Sequence, residues 1–179
     1  MFKFVSILFL LFFIEGKGQS QLFPNNNIAL KTIENKKVSL NLLEETFVVV
    51  FLSPTCPLSQ KYTLTLNELA KEFHGKVKFY GVFAETDPVL EDYIHFRKKY
   101  NIQFELLVDN DKKLVKNLAA SITPEAFVMN KSKLVYQGAI DDWVIELGKT
   151  KKQASVHFLR NVLQSILANQ TPAYNYIKP

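Results

Sequence analysis

The stretch Phe47-Val48-Val49-Val50-Phe51-Leu52-Ser53-Pro54-Thr55-Cys56-Pro57-Leu58-Ser59-Gln60 decides how the rest of the chain is read. From Phe47 to Leu52 it is β-branched and aromatic without a polar break, the pattern of a strand covered on both faces. Ser53-Pro54 stops the run. An amphipathic segment follows, with Leu58, Tyr62, Leu66, Leu69 and Phe73 at near-helical spacing and a stop signal at His74-Gly75. Cys56, the one cysteine of the chain, therefore stands where a strand hands over to a helix. The free amides and positive end of a helix N-terminus favour an anion, so a cysteine there is drawn toward thiolate, the form that attacks. Pro54 and Pro57 on either side favour an exposed thiol over an inert core one.

Before this stretch, Ile28 to Ile33 and Lys37 to Leu40 predict a hairpin around Glu34-Asn35-Lys36. After it, Val77 to Phe83 predicts a second buried strand, and Thr86-Asp87-Pro88 predicts a helix start, with a cap residue and a proline at the first helical position. That helix carries Leu90, Tyr93, Ile94 and Phe96 to Tyr100. Phe104 to Val108 reads as a strand ending at the turn Asp109-Asn110-Asp111, and Lys112 to Ala120 as a short helix. Ile122-Thr123-Pro124 interrupts before a hairpin of Ala126 to Met129 and Lys133 to Gln137, closed by Gly138. Ala139 to Gln153 reads as irregular and polar. Val156, Leu159, Leu163, Ile166 and Leu167 form one stripe of a last helix. Strands alternating with helices, then a hairpin and a helix, imply an α/β sandwich around a mixed central sheet, with helices on both faces and an N-terminal β-hairpin.

The 179 residues, 47% of them hydrophobic, suffice for one domain with a full core. We place it at residues 28–170, after a lead-in at 19–27 and before a tail at 171–179. The first residues run from Lys3 through an apolar block, Phe4 to Ile14, to Glu15-Gly16-Lys17-Gly18, which reads as a signal peptide over 1–18 and predicts export to a periplasmic or extracellular space. The membrane is expected as a partner only if that segment is retained. The formal charge is +5, and removal of residues 1–18 leaves 20 basic and 16 acidic residues. The lysines are dispersed and the arginines are only Arg97 and Arg160, which argues against nucleic acid. A single cysteine excludes an internal disulfide, an unusual state for an exported protein.

The order of elements resembles the thioredoxin-like superfamily, and within it the redoxin branch of peroxiredoxin-like and TlpA-type thiol oxidoreductases. The resemblance runs from Ile28 to about Asn169. It rests on Thr55-Cys56-Pro57-Leu58-Ser59 after a strand, Phe104-Glu105-Leu106-Leu107-Val108-Asp109 before a short helix, Ile122-Thr123-Pro124-Glu125-Ala126-Phe127-Val128 before a hairpin, and Tyr136-Gln137-Gly138-Ala139-Ile140-Asp141-Asp142. It implies that Pro124 is a cis-proline beside Cys56 and that Thr123 offers backbone groups to an incoming chain. Many such proteins carry a second cysteine where Ser59 stands, so this chain is a C-x-x-S variant that cannot release its product with a second sulfur. Ser53 fits the hydroxyl position of peroxiredoxins, but neither arginine lies in a segment expected at the site. Glu125 beside the proline reads either as a like charge opposing the thiolate or as a solvated rim charge.

No metal or other cofactor is expected: His74, His95 and His157 are dispersed, and Asp109-Asn110-Asp111 lacks the rest of a calcium loop. The candidate site is Cys56 as nucleophile, with Ser59 and Pro124. Thr123, Ser53, Thr55, Pro57 and Glu125 are the expected substrate contacts, and Asp141-Asp142-Trp143 a possible rim of the same cleft. The function expected is monothiol exchange with a protein or small-molecule disulfide, or peroxide reduction, with an external thiol as resolving reductant. The alternative is a non-catalytic module that binds a peptide or an envelope protein, which the missing second cysteine favours.

Overall fold

The computed structural model describes residues 27–41, 46–86, 89–146 and 148–179. The signal peptide, the lead-in up to residue 26, and Asp87-Pro88 of the expected helix start lie outside the described residues. β3 (Thr46–Phe51) is the axis of an eight-stranded mixed sheet. On one side it pairs in parallel with β4 (Lys78–Phe83), which pairs in parallel with β5 (Glu105–Val108). On the other side it pairs antiparallel with β6 (Glu125–Asn130), and β6 with β7 (Lys133–Gly138). The expected N-terminal hairpin, β1 (Asn27–Thr32) and β2 (Lys37–Asn41), joins the sheet through β5.

Period-two alternation sends the residues of β3 into two cores. Val48 and Val50 pack with Tyr62, Leu66 and Leu69 of α1 (Pro57–Glu72), Tyr93 and Phe96 of α2 (Leu90–Lys99), and Leu159, Val162 and Leu163 of α4 (Phe158–Leu167). Phe47, Val49 and Phe51 pack with Leu114 and Leu118 of α3 (Lys113–Leu118) on the opposite face. Helices thus cover both faces, and an apolar run without polar breaks is what such a strand requires. In α2 the buried rings are Tyr93 and Phe96, which stack on and meet edge-on Phe83, while Leu90 and Ile94 remain exposed. Its described N-cap, Val89, makes no side-chain cap bond.

Two stretches differ from the sequence reading. The segment read as irregular, Ala139 to Gln153, contains a small antiparallel pair, β8 (Val144–Glu146) and β9 (Lys149–Thr150), too short to leave a periodic signal. The segment read as a tail, 171–179, adds a parallel edge strand to β7, β10 (Tyr176–Ile177). Gln137 N donates to Asn175 O and Ala139 N to Ile177 O. Gly138 makes the approach possible: its φ is +136°, and a Cβ there would lie 1.7 Å from Ile177 O. Gly138→Ala is therefore expected to detach β10. Urea unfolding should show a loss of about 1–3 kcal/mol, and hydrogen exchange should show the Gln137 and Ala139 amides losing protection first.

Candidate active site

Cys56 is the N-cap residue of α1, with extended backbone (φ −80°, ψ 117°), and Pro57 follows in the first helical turn, where no amide hydrogen is needed. A cysteine takes this cap because its sulfur can accept from the free amides of the first turn: Ser59 N lies 3.5 Å from Sγ. On its other side the thiol donates to Thr123 O at 3.3 Å, and the Thr123–Pro124 peptide is cis. The cis-proline implied by the resemblance is thus opposite the cysteine. Cys56 as a residue is half-buried.

Partial burial pushes the Cys56 thiol up, but the amide and hydroxyl of Ser59, with Thr123 and the Leu58 amide, outweigh it, and the net shift is below the ordinary thiol value. Ionisation gives up the bond to the Thr123 carbonyl and strengthens those from the helix amides. Ser59 is fully buried and does a second job, its Oγ accepting from Ser53 N at 3.2 Å. Ser53 and Thr55 share a hydroxyl contact of 3.1 Å, Thr55 and Pro57 are exposed at the mouth, and Pro124 is buried behind it. Gln60 ties the turn from below, donating to Pro54 O at 2.7 Å.

Glu125 corrects the solvated-rim reading and the expected substrate contact. It is buried, with 1% of its surface exposed, so it is neither a solvated rim charge nor a side chain that meets substrate. Oε2 accepts from Ser121 N at 2.8 Å and lies 3.5 Å from Ile122 N, and Oε1 accepts from Gln137 Nε2 at 2.9 Å. The carboxylate fixes the loop that carries Thr123. Asp141, which is buried, and Asp142, which is half-buried, line a cavity that also takes in Leu58, Thr123 and Pro124. Asp141 Oδ1 accepts from Tyr62 OH at 2.7 Å, and Asp142 takes up Lys151, Ser155 and the Val156 amide. Burial, reinforced by Asp141, holds the Tyr62 phenol in its protonated form. Trp143 meets Tyr62 edge-on at 5.6 Å and carries Lys61 over its ring, so it serves both packing and surface.

Two cavities flank the Ile122–Thr123 loop. The larger, about 670 Å³, runs past Leu58, Tyr62, Pro124, Ile140, Phe158 and Ile177 and is mainly apolar. The smaller, about 320 Å³, lies between Ser53, Ala84, Glu85, Val115 and Ala120 to Thr123. Glu85 escaped the sequence reading. Its one signal was an acidic residue just past the end of a buried strand, beside the stronger helix-start pattern at Thr86-Asp87-Pro88. Neither arginine reaches Cys56: Arg97 pairs with Glu34 and Arg160 with Glu72. Among the described residues no three His, Cys, Asp or Glu side chains cluster as a metal site would need, and no helix is long and apolar enough to cross a membrane. Asp109, read as part of a turn, is buried and accepts from Lys113 N and Val115 N at 2.9 Å, opening α3.

A cysteine capping the helix after a central strand, opposite a cis-proline before an antiparallel strand, defines a thioredoxin-like thiol fold. The chain belongs to the AhpC/TSA family, whose profile matches residues 21–137. No curated protein sequence matches it. Among solved structures it is similar to a hypothetical protein of Sinorhizobium meliloti, at 20% identity and a TM-score of 0.74, covering 88% of this chain and 91% of that one. It is also similar to a secreted disulfide oxidoreductase of Mycobacterium tuberculosis, described as homologous to DsbE of E. coli, at 17% identity, TM-score 0.56 and coverage of 79% and 95%. StoA of Bacillus subtilis gives 19% identity, TM-score 0.57 and coverage of 65% and 89%. At these identities the likeness is one of fold.

Two outcomes are expected from this geometry. Iodoacetamide labelling of Cys56 followed against pH should reach half its maximum below about 8.5, the value of a free thiol; Ser59→Ala should move the midpoint upward, because one of the groups that lowers it is removed. Glu125→Ala should cost about 1–3 kcal/mol in urea unfolding, since it leaves the Ser121 and Ile122 amides and the half-buried Gln137 side chain without their acceptor.

Proposed function

We propose that the protein is a monothiol oxidoreductase in which Cys56 exchanges with a disulfide of a protein or small molecule. The observation that carries the reading is the paired contact of the sulfur, with Ser59 N on one side and the carbonyl before the cis-proline on the other. A thiolate there attacks one substrate sulfur, the substrate S–S bond breaks, and the departing thiolate takes up a proton. The product is a mixed disulfide on Cys56. Where many relatives carry a second sulfur this chain has Ser59, buried and bonded to Ser53 N, so an external thiol must attack the mixed disulfide and regenerate Cys56. Peroxide is the less suited substrate, because no arginine stands at the sulfur to bind it; Arg97 and Arg160 are both engaged elsewhere. The signal-like N-terminus supports work outside the cytoplasm, where disulfides persist.

The experiment is a reductase assay on a small aromatic disulfide with excess external thiol. Turnover is expected from the wild type and none above background from Cys56→Ser, with mass spectrometry of the protein isolated without reductant showing an adduct on Cys56. Equal rates with and without Cys56, or capture of partner proteins that survives Cys56→Ser under reducing conditions, would instead establish the non-catalytic binding module.

A further inference from the structure

The segment 171–179 reaches past the edge strand it forms, and Ile177, Lys178 and Pro179 line the larger cavity beside the cis-proline. Backbone and ring contacts hold it there. Gln137 N donates to Asn175 O at 3.0 Å, Ala139 N donates to Ile177 O at 3.1 Å, and the Tyr174 ring meets Phe158 edge-on at 5.4 Å. Period-two alternation decides which side chain of β10 turns toward the helices. Tyr176 is exposed, whereas Ile177 is half-buried and packs, as Phe158 does, against the core cluster that contains Ile140. Ile140 and Phe158 line the same cavity, so the Ile177 side chain stands on the cavity's side of the sheet. The walls keep open apolar surface: Ile122 on the cis-proline loop is 46% exposed, Ile145 on β8 is 53% exposed, and Leu58, Phe158 and Ile177 are half-buried. The acidic groups of the wall are engaged within the chain, Asp141 by Tyr62 and the Trp143 amide, Asp142 by Lys151 and Ser155, and Glu146 by Lys149. Lys178 is exposed and keeps its charge in water. A side chain entering this cavity is therefore buried mainly against hydrocarbon.

The cavity is within reach of a chain tied to Cys56. Leu58, two residues on from the cysteine, and Thr123, whose carbonyl accepts from Sγ at 3.3 Å, both line it. In a disulfide the two Cα atoms stand about 4.4–6.8 Å apart, and the next Cα along a chain is about 3.8 Å further on. A residue beside a captured cysteine thus lies within about 11 Å of the Cys56 Cα, at the mouth of a cavity of about 670 Å³. We propose that the segment 174–179, through Ile177 above all, is a specificity-determining wall of the substrate cleft, selecting partners with a large apolar side chain next to the reacting sulfur. This rests on the thiol-exchange reading and adds the substrate class.

The test uses the full chain and short cysteine peptides, each joined through a disulfide to 5-thio-2-nitrobenzoate. Cys56 thiolate attacks the peptide sulfur, the peptide becomes disulfide-linked to Cys56, and the coloured thiolate departs. The residues on both sides of the peptide cysteine are leucine or the similarly sized asparagine, and each rate is divided by that of the same peptide with a small free thiol. The leucine peptide is expected to react about tenfold faster, the scale of burying most of one such side chain. Moving the leucines to the far end of the peptide should abolish the lead. In a chain shortened after Asn175, which keeps Tyr174 on Phe158, the lead should fall to about twofold or less, because the Ile177 wall is gone. Ile177→Ala keeps the β10 backbone and should lower the lead to about threefold; it decides the matter if the shortened chain does not fold. Hydrogen exchange on the wild-type adducts needs no variant: the Ala139 amide, bound to Ile177 O, should exchange more slowly in the leucine adduct than in the asparagine adduct. Equal rates for the two peptides, a lead that persists in the shortened chain or in Ile177→Ala, or equal Ala139 exchange overturns the proposal while leaving thiol exchange standing. If no peptide is captured, thiol exchange and the proposal fall together.

Discussion

The register between β3 and β6 is the constraint from which the site follows. Phe51 pairs with Glu125, so the last residue of one strand stands opposite the first residue after the cis-proline of the other. The chain leaves β3 through Leu52-Ser53-Pro54-Thr55 and reaches Cys56 just as it arrives beside Thr123. A slip of one residue would turn Val48 and Val50 toward the α3 face and Phe47, Val49 and Phe51 toward α1, exchanging two cores of different shape. Burial of each large side chain contributes about 1.5–3 kcal/mol, so such a slip is energetically closed. The distance from sulfur to carbonyl is thereby fixed by side chains that never touch either.

The loop opposite the sulfur has its own anchor. Glu125 begins β6 and reaches back with its carboxylate to the amides of Ser121 and Ile122, while Gln137, from the neighbouring strand, holds the other oxygen. This is the logic of a helix cap applied to an irregular loop: an anion satisfies amides that no ladder can reach. Ser59 does the equivalent for the cysteine turn, accepting from Ser53 N across the first turn of α1. Both sides of the cleft are thus pinned by buried polar groups, each using acceptors that the apolar core cannot supply.

Where periodicity and burial act together, the sequence was sufficient. The apolar run of β3, the α1 stripe and the Cys56 junction were all readable from residue types in one window, and the cis-proline from resemblance. What escaped depends on partners distant in sequence. The burial of Glu125 was not legible because its second partner, Gln137, comes from β7, and a carboxylate beside a proline gives no local sign of burial. Tyr176–Ile177 make a strand only because Gly138 leaves space for their backbone, and a two-residue ladder has no period to detect. Glu85 was overshadowed by the cap pattern that follows it.

A buried hydroxyl at position 59 also changes what the molecule is electrochemically. A dithiol pair closes on itself and has a midpoint of its own, against which its surroundings can be judged. A lone sulfur has no such private couple, so the fraction of Cys56 in the oxidised form is set by whichever thiol is bound to it and by how abundant that thiol is. The chain would thus register the composition of the ambient thiol pool, and two environments of equal potential but different thiols would leave it carrying different adducts.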